Sequence, residues 1–377
     1  MMKKEQILLT LEQCIACKEC TSFCSIHLYF KNYSALEKLE AIKLLINDQK
    51  LSQEHINTVF YCTKCEACQE HCPQNLPLID LFDWARNQIF SIYGARNQKQ
   101  SQLITNILTM GNPFNNSDSR LNKIPNKSIK GKIFNSSDDS KTLLHLGCML
   151  GYRLHSMRNE ILNIMKKLEI DYCLLPNEYC CGYFIYNTGD HDSAQEVIDK
   201  NLAEFEKFDK IICACAGCYI FFKKHYPDSQ KFYHIIEIIA KKLEAFQTNG
   251  KLQEKKHNSS ENIIAFHDSC HLTRPFGIIK PPRKILDILG YTLKEFTYFK
   301  EKGLCCGADG GMRIINPELA RKIGEKRIKE AELMGTKTLF TLCPFCIFNF
   351  KEANTNRGKI TIESLYQVIS SYLEQHF

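Results

Sequence analysis

Along the chain the spacing of apolar positions changes character twice. Ser34 precedes Leu36, Leu39, Ile42 and Leu45, with Glu37 three residues after the serine. That combination predicts a capped helix with one buried stripe. A second apolar helix is predicted over 76–93, carrying Leu78, Leu81, Phe82, Trp84 and Ile89. Residues 115–141, rich in Asn, Ser, Asp and Lys, lose all periodicity and read as a solvated linker at a domain boundary. Short apolar runs then alternate with helical stripes. KTLLHLGC ends at Cys148, and a stripe of Leu154, Met157, Ile161, Ile164 and Leu168 follows. DYCLLP, a further helix and KIICAC complete one set, the last run delivering Cys215 and then Cys218 in a turn. NIIAFHDSC, YTLKEF and KTLFTLC form another set. The helix before the last run is opened by Asn316 and Pro317 and closed by Gly335.

Strand and helix in alternation imply parallel sheets with right-handed crossovers, whose strand ends gather on one edge. The expected fold class is therefore multidomain α+β: an N-terminal α-helical domain at 1–100, a linker at 101–141, and two α/β modules at 142–250 and 251–377.

Composition narrows the chemistry. A chain of 377 residues can build proper cores without covalent staples, so its 20 cysteines point to metal or redox duty. The start, MMKKEQILLT, has no secretory pattern, which places the thiols in a reducing, cytoplasmic setting. No run of about eighteen apolar residues is present, so no transmembrane segment is expected. The 49 basic and 42 acidic residues are interspersed, without a basic stripe carrying aromatics, which argues against a nucleic-acid partner.

Cys14, Cys17, Cys20 and Cys24 follow the spacing C-x2-C-x2-C-x3-C, and Cys62, Cys65, Cys68 and Cys72 repeat it, with Pro73 behind. This is the bacterial ferredoxin run, whose fourth cysteine crosses to the other cluster. By that rule Cys14, Cys17, Cys20 and Cys72 hold one 4Fe-4S cluster, and Cys62, Cys65, Cys68 and Cys24 hold the second. Paired zinc knuckles are the competing reading, but they need only C-x2-C pairs. Ser25 stands where the first run would carry proline.

Ten further cysteines form two sets: Cys148, Cys180, Cys181, Cys215 and Cys218, then Cys270, Cys305, Cys306, Cys343 and Cys346. Corresponding members are separated by 122 (Cys148 to Cys270), 125 (Cys180 to Cys305) and 128 residues (Cys215 to Cys343), the near-constant offset of a duplication. All lie at or after predicted strand ends, where open α/β sheets bind ligands. Zinc on four of the five thiols of one module is the alternative. Cys173 and Cys213 fall within apolar strands and read as small buried residues. His267, Asp268, His271 and Arg274 flank Cys270. His271 is a candidate proton donor to a departing thiolate, while His267 and Asp268 are expected to cap the strand locally. No GxGxxG or GxxxxGK[ST] fingerprint follows a strand, so flavin or nicotinamide chemistry falls to a partner.

HDSCHLTR, CCGADGG, CPFC, and GCMLGYR before EYCCG resemble the cysteine-rich CCG domain family. A two-cluster ferredoxin domain followed by two such modules resembles the D-type subunit of heterodisulfide reductase. Iron-sulfur subunits of glycolate oxidase, lactate utilisation proteins and anaerobic glycerol-3-phosphate dehydrogenase share the arrangement. The resemblance implies that the ten module cysteines hold one or two noncubane 4Fe-4S clusters, and that a disulfide/thiol substrate reacts between them. It also implies a redox partner: a membrane cytochrome, which would set the chain at the inner face of the membrane, a flavoprotein dehydrogenase or a hydrogenase. The alternative is a pure electron relay from a flavin-dependent dehydrogenase towards quinone.

Overall fold

The computed structural model describes residues 2–121, 124, 132–134, 140–252, 262–355 and 360–377. The N-terminal part is helical, built mainly by Lys4–Glu12, Ala35–Ile46, Gln53–Phe60 and Leu78–Tyr93. Ser34 and Glu37 form the expected capping box at the start of Ala35–Ile46. Ile42, Val59, Leu81, Phe82, Ala85 and Ile89 close this domain's own core. Each large apolar side chain among them contributes roughly 1.5–3 kcal/mol of burial.

In the first module β1 (Thr142–His145), β2 (Lys210–Cys213) and β3 (Phe232–His234) pair in parallel in the order β1-β2-β3. In the second, β4 (Ile263–Phe266), β5 (Thr292–Lys294), β6 (Thr338–Thr341) and β7 (Thr361–Ser364) follow the order β5-β4-β6-β7, again parallel. DYCLLP lies where β5 would be equivalent, but it supplies only a bridge to β1, Leu143 with Cys173. Its outer side instead bonds to 132–134, Leu174 N–H donating to the Lys132 carbonyl at 2.6 Å. Pro176 removes the next donor. β3 and β7 were not apparent in the sequence, each being only three or four residues long.

The expected linker is partly built structure. Helix Gln98–Met110 buries Leu103 and Ile107, and Arg120 is almost wholly buried in a salt bridge with Glu178. Its remaining residues at 122–123, 125–131 and 135–139 lie outside the described residues.

The two modules share one core and meet reciprocally. Helix His155–Lys167 of the first packs on Leu365–His376 of the second, and Lys280–Ile288 of the second packs on Ile235–Thr248 of the first. The cysteine-bearing helices exchange in the same way: Ala216–His225 meets Cys270–Phe276, and Gly147–Tyr152 meets Pro344–Asn354. Equivalent partners exchanged in this manner define a pseudo-twofold axis, which puts the two cysteine sets on either side of one seam.

Arg86 ties all three parts together. Fully buried, it donates to the carbonyls of Cys62 (2.9 Å), Asn187 (3.1 Å) and Gly310 (2.7 Å). Among the described residues no helix is long and apolar enough to cross a membrane.

Candidate metal centres

In the N-terminal domain the structure gathers Cys14, Cys17, Cys20 and Cys72 around one pocket, and Cys24, Cys62, Cys65 and Cys68 around another. The fourth cysteine of each run thus crosses to the other set. Ala16 and Lys18 in the first run, and Lys64 and Glu66 at the same positions of the second, all have φ between 50° and 67°. Four non-glycine residues in this region at matched positions mark loops curled around something, because the conformation is costly for an L side chain. In the second loop Lys64 N–H points to the Cys62 sulfur at 3.4 Å. Four converging soft donors in curled loops fit a cubane cluster.

The module sites are assembled from strand ends. Cys148 and Cys270 enter on the short helices after β1 and β4. Cys215 and Cys343 cap the helices after β2 and β6, and Cys218 and Cys346 sit inside those helices, so the turn expected at Cys218 is helical instead. In the first module the sulfurs touch in the order Cys148, Cys180, Cys181, Cys218, Cys215. In the second they follow Cys270, Cys305, Cys306, Cys346, Cys343, with Cys306 and Cys346 at 3.2 Å. Two independent sequences reach the same sulfur order. Hydrogen bonds from neighbouring thiols draw Cys180 well below the ordinary thiol range and Cys306 down to about 6. All ten are buried.

Glycine makes room for this packing. A Cβ at Gly147 would stand 3.0 Å from the Cys218 sulfur. At Gly307, with φ +91°, it would stand 2.7 Å from Ile323. Five thiols in a dry, crowded row suit a thiophilic cluster with several anchors. Cys173 and Cys213 are both buried, Cys173 with its thiol donating to the Thr142 carbonyl at 3.5 Å and Cys213 at the end of β2.

The residues beside Cys270 divide. Asp268 does not cap its strand locally but grips Arg283 through two bonds of 2.8–2.9 Å and accepts from Lys300 N–H at 2.7 Å. Among the described residues His267 has no hydrogen-bond partner for either ring nitrogen, and burial pulls its pKa down to about 3. A ring nitrogen of His267 and the sulfurs of Cys306 and Cys346 lie within 4.8 Å of one another, so a neutral imidazole is available as a further donor. His145, the counterpart of His267 in the first module, has its pKa lowered by burial and lies 3.5 Å from Glu178. His271 spans the domains: Nε2 faces the Lys64 carbonyl at 3.3 Å and Nδ1 faces the Asp309 carboxylate at 3.2 Å. Both partners are acceptors, so the ring makes both bonds only when doubly protonated.

Sequence reasoning missed Asp309, which the CCGADGG loop aims at His271. It also missed Tyr183, whose ring meets His271 at 5.8 Å. An added Cβ at Gly217 would meet Phe345, Tyr183 and Asp309 at 3.6–3.7 Å, so these groups converge on the seam between the two cysteine sets. Ser25 was noticed only as a missing proline. Its hydroxyl accepts from Cys305 N–H at 2.8 Å, and the Cys65 thiol is in hydrogen-bonding contact with Cys305. Arg274 donates to the Cys65 carbonyl. The second four-cysteine set therefore abuts the second five-cysteine set.

Known proteins share this layout. The 4Fe-4S dicluster domain matches residues 10–76, and the cysteine-rich CCG domain matches residues 142–223 and again 264–351. The D-type component of dihydromethanophenazine:CoB–CoM heterodisulfide reductase from Methanosarcina barkeri is 26% identical, over 97% of this chain and 95% of its own length. The B-type component of fumarate reductase (CoM/CoB) from Methanothermobacter marburgensis is 25% identical over 92% of this chain and 69% of its own. A probable iron-sulfur-binding oxidoreductase, FadF, of Bacillus subtilis is 29% identical over 77% of this chain and 42% of its own. With the duplicated sulfur chains and the crossing four-cysteine sets, these likenesses place the chain in the family of iron-sulfur oxidoreductases that join a 4Fe-4S dicluster domain to two CCG domains.

Proposed function

We propose that this oxidoreductase relays electrons through its two four-cysteine sets to the paired five-cysteine sites, where a disulfide is reduced or two thiols are oxidised. The observation that carries this reading is the matched pair of five-sulfur chains facing one seam, with Cys65 of the relay against Cys305 of the second chain. Iron-sulfur clusters, when bound, supply single-electron transfer, and two sites beside one substrate supply the two electrons that an S–S bond requires.

Cys14, Cys17, Cys20 and Cys72 would hold one cubane, and Cys24, Cys62, Cys65 and Cys68 the other. Cys148, Cys180, Cys181, Cys215 and Cys218 would hold one module cluster, and Cys270, Cys305, Cys306, Cys343 and Cys346 the other. Reducing one disulfide consumes two electrons and two protons and gives two thiols. His271, held at Nδ1 by Asp309, is positioned to keep a proton at the seam. Phe345 and Tyr183 stand beside it at Gly217. The electrons come from a redox partner, in keeping with relatives named as parts of larger reductases. The division into domains at 1–100, 142–250 and 251–377 is part of the same proposal.

Metal and acid-labile sulfide analysis after anaerobic purification tests the sites. Iron with matching sulfide is expected, whereas zinc without sulfide would end the redox reading. EPR of the oxidised protein titrated with thiols then tests the chemistry. A thiol-dependent paramagnetic signal broadened by iron-57 is expected, and indifference to every thiol would leave the electron-relay alternative.

A further inference from the structure

A cavity of about 430 Å³ opens where helix Gln98–Met110 crosses the seam. It touches the cysteine loops of both modules: Met149 follows Cys148, and Phe345 lies between Cys343 and Cys346. Phe345 and Phe184 meet edge to face at 5.5 Å across the seam, forming the inner wall. The charge of the lining is one-sided. Lys99, Arg153 and Arg313 border the cavity, and among the described residues no Asp or Glu does.

The two guanidiniums lie over aromatic rings, Arg153 over Phe114 at 4.5 Å and Arg313 over Phe348 at 4.9 Å. For Arg153 this placement over the ring leaves its N–H edge available to a planar anion. Arg313 also reaches inward. It donates to Asn349 Oδ1 at 2.8 Å, and the Asn349 amide donates to the Cys306 carbonyl at 2.8 Å. Its other arm is held by Glu352 outside the lining, which leaves Arg153 and Lys99 as the cations facing the space. A partly apolar cleft whose described charged residues are cationic raises the local concentration of anions, and one of this size and lining is ordinary for a small ligand.

We propose that this cavity binds a small organic anion with an apolar body, the charge held at Arg153 and Lys99 and the body against Phe114, Phe184 and Phe345. Only the identity of the buried end, a thiol or disulfide directed at the seam, rests on the disulfide reading. Anion recognition itself does not.

The test uses probes without sulfur. Calorimetric titration of the anaerobically purified full-length protein compares 3-phenylpropionate with 3-phenylpropan-1-ol at low ionic strength. The acid is expected to bind at least about tenfold more tightly than the alcohol, from a charge-assisted bidentate contact. Arg153→Gln is expected to remove most of that preference without changing the alcohol's affinity, and Arg153→Lys to restore part of it. Lys99→Gln, on the exposed face of its helix, gives the same reading should Arg153→Gln fail to accumulate. Equal affinity for acid and alcohol, binding of neither, or a preference that survives both Gln variants would overturn the proposal. The thiol-dependent EPR experiment uses neither compound, so a failed disulfide reading and a failed anion site give different results.

Discussion

The two five-cysteine modules hold their sulfurs in one order but support them by different means. In the first, Glu178 stands two residues before the paired cysteines, pairs with Arg120 and accepts from Leu146 and Gly147 N–H at 2.8 Å. In the second, Asp268 stands two residues before Cys270 and is held by Arg283. Each carboxylate fixes the entrance of its module's first cysteine, from a different point in the chain. The surroundings diverge further at the N-terminal domain. The first module meets helix Leu78–Tyr93, where Asn87 donates to the Gly189 carbonyl at 2.9 Å. That module also reaches the second cysteine loop, through Lys224 on Glu66, but the second module brings a cysteine against that loop, Cys305 on Cys65, with His271, Arg274 and Gly310 beside it. After duplication, ligand geometry tolerates little change while its scaffolding is replaceable. Position against the relay is what distinguishes the copies.

Arg86 is where both modules are joined to the relay, so removing it should affect them alike. Arg86→Met leaves the carbonyls of Cys62, Asn187 and Gly310 without their donor, and a cost of about 3–5 kcal/mol is expected. Chemical denaturation, with proteolysis to detect release of the N-terminal domain, measures it. Undocking of one module alone would break the symmetry argued for this residue.

Paired glycine substitutions separate the copies. An alanine Cβ at Gly310 would lie 2.2 Å from the Cys62 carbonyl, and one at Gly189 would lie 2.2 Å from the Arg86 carbonyl, both at positive φ. Each substitution should cost about 2–4 kcal/mol, adding left-handed strain to overpacking. Only Gly310→Ala should disturb the Cys24, Cys62, Cys65 and Cys68 set, read as a shifted EPR spectrum. The same shift in Gly189→Ala would show that the relay senses both modules.

A titratable cap in one copy and a neutral one in the other offer a pH test. His234 Nδ1 accepts from Ile236 N–H at the start of helix Ile235–Thr248, and Ser364 Oγ accepts from Tyr366 N–H at the start of helix Leu365–His376. Burial lowers the His234 pKa to about 3. Below about 6.5 an unfolded histidine takes up a proton that the folded one refuses until about pH 3, so stability is complete above 6.5 and falls as pH drops between these values. From pH 7 to pH 5 this site should lose about 2 kcal/mol. His234→Ser should flatten the pH dependence of the urea midpoint by that amount, and an unchanged slope would assign the dependence elsewhere.

Much of this plan was written in cysteine spacing. Ligand spacing is local and offsets repeat, so the crossing sets and the paired modules were legible from Cys14 to Cys346. Helix Gln98–Met110 was hidden because it turns only a few residues inward, the polar Gln100 with Leu103 and Ile107, and so carries little apolar periodicity. Arg86 and Arg120 carry no periodic signal at all. Their importance lies in partners as far as 224 and 58 residues away, which no local pattern contains. Asp309 was hidden for the same reason, since its partner His271 comes from helix Cys270–Phe276. DYCLLP had the composition of a strand, but it pairs through single bridges, Cys173 with Leu143 and Leu174 with Ile133, and Pro176 removes the next donor.

Ser25 gives the finest test of the second module's closeness to the relay. It is the first residue of helix Ser25–Phe30, a position where proline is well tolerated because its missing N–H would be unpaired anyway. Ser25→Pro should therefore leave the helix intact and remove one thing, the hydroxyl that accepts from Cys305 N–H. A buried amide left without an acceptor costs about 1–2 kcal/mol, less than the other substitutions. Hydrogen exchange at Cys305 should accelerate while exchange at Cys180, its first-module counterpart, stays as it was. Ser25→Thr keeps the hydroxyl and should restore protection. If Ser25→Pro leaves Cys305 exchange unchanged, the hydroxyl is not what joins the relay loop to the second five-cysteine set, and the junction rests on Cys65, His271, Arg274 and Gly310.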